Sequence, residues 1–162
     1  DYTPHKFKWT TEQEERTRLW KARHDAFWAA MALVPGGIAM STDVCVPISR
    51  LAECVEDTRR DIEESGIIAP IVGHVGDGNF DAILLVDPEN QRELKAAKSV
   101  AAKMAKLAIR LGGTCTGEHG IGMGKIDFMA DQHGHGWNVM GNIKEALDPY
   151  NIMNPGKIIK RN

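Results

Sequence analysis

Two β-branched apolar runs, residues 67–75 and 80–86, flank the short turn Gly76-Asp77-Gly78-Asn79. An antiparallel hairpin of this kind is not stable alone, so the segments on either side decide the fold. Residues 39–47 read as a strand stopped by Pro47. Ser49 is expected to cap a helix that carries Leu51, Val55, Thr58 and Ile62 and ends at Gly66. After the hairpin, Asp87-Pro88 opens the longest helix, because Asp caps and Pro suits the first helical position. It runs to Leu111 and stops at Gly112-Gly113, and residues 113–117 supply one more short strand. The order from 39 to 117 is β-α-β-β-α-β. That order predicts an α+β, ferredoxin-like split βαβ sheet, antiparallel, with helices on one face.

Extra helices are expected at both ends. Thr11-Glu12-Gln13-Glu14 fits a capping box. Leu19, Ala22, Ala26, Ala29, Ala30 and Leu33 follow at helical spacing, with Trp20, Phe27, Trp28 and Met31 widening the apolar face, and Pro35-Gly36-Gly37 ends the helix. Two more helices are expected near 124–133 and 136–147, followed by a turn-rich tail. The sheet face away from the helices needs cover, which implies a neighbouring body.

At 162 residues the chain reads as one domain, 1–162. A net charge of −2 without a basic run gives no footprint for nucleic acid. No apolar stretch approaches a membrane span. Asp1-Tyr2-Thr3-Pro4 is polar, reads as no signal peptide and lacks an initiating Met, so the chain is expected to be processed or part of a longer one. Three cysteines without CxxC spacing point to free thiols in a reducing compartment, here taken as the cytoplasm with peripheral membrane association allowed.

The chemistry-bearing residues sit in two glycine-framed clusters, Gly73-His74-Val75-Gly76-Asp77-Gly78-Asn79 and Gly117-Glu118-His119-Gly120-Ile121-Gly122. His74 and Asp81 approach each other across the hairpin. With Glu118 they make a set of N and O donors suited to zinc, manganese or iron. The bland alternative is that His74 caps a strand and Asp77 fits the turn. An ideal plait puts Glu118 and the hairpin at opposite ends of the sheet, so loop 117–124 must fold back over the open face; five glycines in 113–124 allow that. His119 is a candidate general base, or else a solvated loop histidine. Arg23 can clamp a carboxylate, or is a surface arginine. No glycine pattern of a nucleotide loop follows a strand.

Thr42-Asp43-Val44-Cys45-Val46-Pro47, the two clusters above, and Asn154-Pro155-Gly156-Lys157-Ile158 occur in an order that resembles the C-terminal domain of FAD-linked oxidases of the D-lactate dehydrogenase and glycolate oxidase type. The resemblance runs from Trp20 to Ile158. It implies a plait that covers the flavin and holds substrate, while a separate N-terminal domain binds most of the FAD. It also implies a divalent metal on His74 and Glu118, with Asp81 where the family pattern has a second histidine. His119 falls at the family's catalytic base, Arg23 near a carboxylate-binding arginine, and Asn154 where the family's tail approaches the flavin. Ser41 stands where some relatives carry a substrate-binding lysine, which favours a small monocarboxylate.

The expected function is therefore the substrate and cap domain of an FAD-dependent 2-hydroxyacid dehydrogenase. Its partners would be a small 2-hydroxy acid, an FAD-binding domain and, as an option, a second copy of the chain. Two rivals stand beside it: a metal-dependent hydrolase, and a non-catalytic module that binds a ligand or partner through the open sheet face.

Overall fold

β4 (Asn79–Val86) is the centre of the sheet, and all eight of its residues are buried. The computed structural model describes residues 9–160; the polar start at Asp1–Pro4 lies outside the described residues. On one side β4 pairs antiparallel with β3 (Ile71–His74), which returns through a short 3-10 turn at Val75–Asp77. On the other side it pairs antiparallel with β1 (Ile38–Ser41) and then β2 (Val44–Cys45), two pieces of one interrupted strand. The interruption falls at Thr42. Its hydroxyl accepts the Ala82 amide at 2.7 Å, replacing a ladder partner. Beyond β2, Thr114 adds a single bridge to Cys45. The lateral order is that of the expected split βαβ plait.

The fourth strand, however, is reduced to that one bridge. Side chains take the backbone groups that would have continued it. Thr114 Oγ1 accepts the Thr116 amide, and the amides of Glu118 and His119 turn onto the carboxylate of Asp43. The chain leaves the sheet and crosses its face.

The pleat divides the strands into two faces. Phe80, Ala82, Leu84 and Val86 face α2 (Ile48–Ser65) and α3 (Gln91–Arg110), forming the main core with Cys54, Ile62, Val100, Met104 and Ala108. Side chains of this size stabilise by about 1.5–3 kcal/mol each when taken out of water. Ile83 and Leu85 face the other way. They pack with Ala30 at the end of α1 (Gln13–Met31). The two helices of the plait thus share one face, as expected, and the extra N-terminal helix α1 covers part of the other. Of the apolar stripe expected on α1, only Ala30 is buried; Leu19, Trp20, Phe27, Trp28 and Leu33 are exposed.

Three helix starts differ from expectation for local reasons. Asp87 Oδ1 accepts the Glu89 amide, a turn that delays α3 until Asn90, which caps it by accepting from the amides of Arg92 and Glu93. α2 starts at Ile48 behind Pro47, so Ser49 lies inside its first turn. At α1 the capping box expected at Thr11–Glu14 does not form: Thr10 accepts the Glu12 amide at 3.1 Å, and Glu12 stands at the cap position with no side-chain cap bond. The chain ends with α4 (Met129–His133) and α5 (His135–Leu147) and an irregular tail. Among the described residues no helix is long and apolar enough to cross a membrane.

Candidate functional site

The face of β4 that carries Ile83 and Leu85 carries Asp81 next to them. Cross-strand register adds neighbours on the same face: Ser41 opposite Ile83, Val72 opposite Asp81, and His74 two residues further along β3. α1 crosses above them and contributes Arg23, Ala26 and Phe27. The segment after Thr114 closes the far side with Glu118 and His119. These residues line one pocket of ≈ 340 Å³.

Inside it, an Arg23 guanidinium nitrogen lies 3.1 Å from His74 Nε2. A guanidinium has only donors, so this contact requires Nε2 to be the unprotonated nitrogen. His74 Nε2 lies 3.8 Å from Glu118 Oε1, and His119 Nε2 lies 3.8 Å from Asp81 Oδ1 and 4.0 Å from Glu118 Oε1. Arg23 also stacks over the Trp20 ring at 5.3 Å. Asp81 Oδ1 is buried and accepts no hydrogen bond. Burial and the nearby charge of Asp43 push the Asp81 carboxyl above the usual range, partly opposed by His119 and Lys125.

Behind the pocket, Asp43 is closed off from water and gathers the surrounding segments. Its Oδ2 accepts from Thr116 Oγ1 at 2.7 Å, the Glu118 amide at 2.9 Å and the His119 amide at 2.8 Å. Its Oδ1 accepts from Asn79 Nδ2 at 2.8 Å, and Lys125 Nζ stands 3.8 Å from the carboxylate. Burial alone would raise its pKa, but the donors from His119, Thr116 and Glu118 bring it down to about 2. Gly117 passes so close that a Cβ there would stand 2.2 Å from Asn79 Nδ2 and 2.7 Å from Asp43 Oδ1. Gly78, at φ 76°, would place one 2.1 Å from the Val46 carbonyl oxygen.

Five of the six residues singled out in the sequence, Arg23, His74, Asp81, Glu118 and His119, therefore meet in one place. Loop 117–124 folds back over the sheet face as the glycines allow. Asn154 does not line this pocket. It sits in the tail in a left-handed conformation, φ 45°. Ile158 bonds Gly122 at 2.9 Å, which ties the tail to the loop that carries His119. The metal set does not fit this arrangement. Among the described residues no three His, Cys, Asp or Glu side chains are grouped to hold an ion. His74 Nε2, the nitrogen that faces Glu118, is engaged by Arg23. The carboxylate of Asp43 and its partners Asn79 and Thr116 were not read as part of a site. The available signal was an acid inside the apolar run Val44–Val46 and Met40, where a buried charge requires donors from elsewhere.

Residues 3–158 match the family of FAD linked oxidases, C-terminal domain. The chain is 49% identical over 155 residues to a probable mitochondrial D-lactate dehydrogenase of Danio rerio, covering 95% of this chain and 31% of that protein. It is 40% identical over 154 residues to the mitochondrial D-lactate dehydrogenase [cytochrome] of Arabidopsis thaliana, covering 94% and 27%. With the glycolate oxidase subunit GlcD of Bacillus subtilis it shares 35% over 150 residues, covering 92% and 32%. It spans less than a third of the length of these relatives. By the extent of that match and these identities, the chain belongs to the FAD linked oxidases, as a C-terminal domain of that family.

Proposed function

We propose that residues 1–162 form one substrate-binding and cap domain of an FAD-dependent 2-hydroxyacid dehydrogenase of the D-lactate or glycolate type. The observation that carries this reading is the convergence of Arg23, His74, Asp81, Glu118 and His119 from four separate segments on one pocket. Arg23 has donors left after its contact with His74 and grips the substrate carboxylate. His119 takes the hydroxyl proton on Nε2. Asp81, 3.8 Å away, stabilises the imidazolium that results. FAD, when bound, supplies the acceptor for the hydride that leaves the α-carbon, and the product is the 2-oxo acid.

In this reading most of the FAD is held by a separate domain, which the match to a C-terminal domain of FAD linked oxidases supports. The exposed apolar side chains of α5 and the tail, Val139, Ile143, Leu147, Tyr150 and Ile152, suit a surface that such a domain covers. Asn154 would face the flavin from that tail. Specificity follows from charge. Ser41, Asp81 and Glu118 line the pocket with Arg23 as its one guanidinium, so a second substrate carboxylate would meet like charge. That favours a small monocarboxylate.

A divalent ion on His74, Asp81 and Glu118 would require Arg23 to leave His74. Titration of the protein with zinc or manganese, read by calorimetry, shows stoichiometric binding if it does. Homodimerisation, through a face the FAD domain leaves bare, is read by sedimentation of the full-length protein. Three free cysteines suit a reducing compartment, cytoplasmic in this reading, although several relatives are named mitochondrial. The decisive experiment mixes the FAD-loaded full-length protein, without oxygen, with D-lactate, glycolate or D-2-hydroxyglutarate and follows flavin absorbance. Bleaching by D-lactate or glycolate and not by 2-hydroxyglutarate is expected. A flavin left oxidised by every 2-hydroxy acid ends this reading.

A further inference from the structure

Glu118 and His119 are neighbours in sequence, yet both point into the pocket, one toward His74 and the other toward Asp81. Two successive side chains keep such directions only if the backbone between them is held. The loop has little to hold itself with: Gly117, Gly120, Gly122 and Gly124 punctuate it, and both side chains are about half exposed. Its anchor is the carboxylate of Asp43, whose Oδ2 receives the two consecutive amides and the Thr116 hydroxyl. The same carboxylate receives Asn79 from the start of β4, so one group sets the loop relative to that strand. Taking a charge wholly out of water is costly unless its donors are fixed. Here every donor but Lys125 belongs to β4 or to the loop, two of the four segments that carry the pocket's side chains.

We propose that Asp43 is a positioning residue: its buried carboxylate aims His119 at a substrate held by Arg23. This rests on the reading of His119 as the base. It also separates two kinetic quantities. Arg23 sits on α1, to which Asp43 makes no hydrogen bond among the described residues. Loosening the loop should therefore spoil proton transfer while leaving the carboxylate grip in place.

The test is Asp43→Asn in the FAD-loaded full-length protein, which keeps the shape but removes the acceptor charge. Flavin content is expected to hold. The rate constant kcat should fall about a hundredfold, the scale of a small misplacement of a reacting group. KM for D-lactate or glycolate should stay within about threefold. Hydrogen–deuterium exchange should quicken in a peptide covering 116–120. A kcat per bound flavin like that of the unaltered protein, or a loss carried by KM alone, overturns the proposal. If Asp43→Asn does not fold, Thr116→Val removes one donor and leaves the carboxylate in place. It should lower kcat about tenfold with KM held, and an unchanged kcat there overturns the idea as well. If the unaltered protein reduces no flavin with any acid, the functional reading falls, and exchange over 116–120 alone decides whether Asp43 holds the loop.

Discussion

The two faces of β4 use the same backbone for opposite ends. Toward α2 and α3 the strand presents Phe80, Ala82, Leu84 and Val86, all apolar and each at 1% exposure or less. Toward α1 it presents Leu85 and Ile83 and then Asp81, a buried acid whose Oδ1 has no donor. On the first face every local choice agrees with burial. On the second, agreement fails at the residue that borders the pocket. Such a conflict is expected where a fold carries a site.

The contrast is tested most strongly from the site side. His119→Gln should cut flavin reduction by about a thousandfold, roughly 4 kcal/mol of barrier. The thermal midpoint should move little, because the side chain is 48% exposed and its one buried neighbour is Asp81 at 3.8 Å. Leu84→Ala is the mirror experiment. It opens a cavity at a residue with 0% exposure and should cost about 3 kcal/mol in urea unfolding. Turnover per bound flavin should remain. A Leu84→Ala protein as stable as its parent, or a His119→Gln protein as active, would erase the distinction.

Acid gives the next largest effect. The Asp43 pKa is lowered from 3.8 to about 2, so its contribution is complete above the unfolded value and is lost as pH falls from about 4 through 2. For a side chain closed off from water this amounts to about 2 kcal/mol. Asp148 acts with the same sign at the far end of the chain. It pairs with Lys144 and accepts the amides of Ile152 and Met153, and its pKa is also about 2. Unfolding free energy measured between pH 5 and pH 2 should fall less steeply in Asp43→Asn than in the unaltered protein. Equal slopes would mean that the donors around Asp43 do not favour its charge.

What the sequence made legible follows the same division. The hairpin, α2 and α3 were readable because their periodicity is set by the helix-covered core, and period is a local property. The burial of α1 was not readable. Its Trp20, Phe27 and Trp28 are apolar at helical spacing, yet all three stay exposed among the described residues. The fourth strand was lost because Thr116, Glu118 and His119 give their donors to Asp43, a contact 73 to 76 residues away in the chain that no window of sequence contains. The pocket residues themselves were findable, since histidines and acids between glycines have few structural uses. Their organiser was hidden as one acid in an apolar strand.

The smallest effect is the sharpest in sign. The Asp81 carboxyl is raised by burial first and by Asp43 second. A carboxyl raised in the folded state favours folding when protonated and opposes it once ionised. Its contribution is full below the unfolded pKa and is lost as pH rises through the folded one. At neutral pH Asp81 is thus a burden on the fold, relieved in part by His119 at 3.8 Å. Asp81→Asn keeps the shape and removes the charge. It should raise stability at pH 7 by about 1 kcal/mol, the scale of a buried group without its partner. The gain should vanish as pH falls below the unfolded value of 3.8, where the acid becomes protonated in both states. The same substitution should slow flavin reduction, because the imidazolium on His119 loses its counter-charge. A variant that is less stable at pH 7 would mean that His119 already carries the charge that satisfies Asp81, and the conflict placed on this face of β4 would not exist.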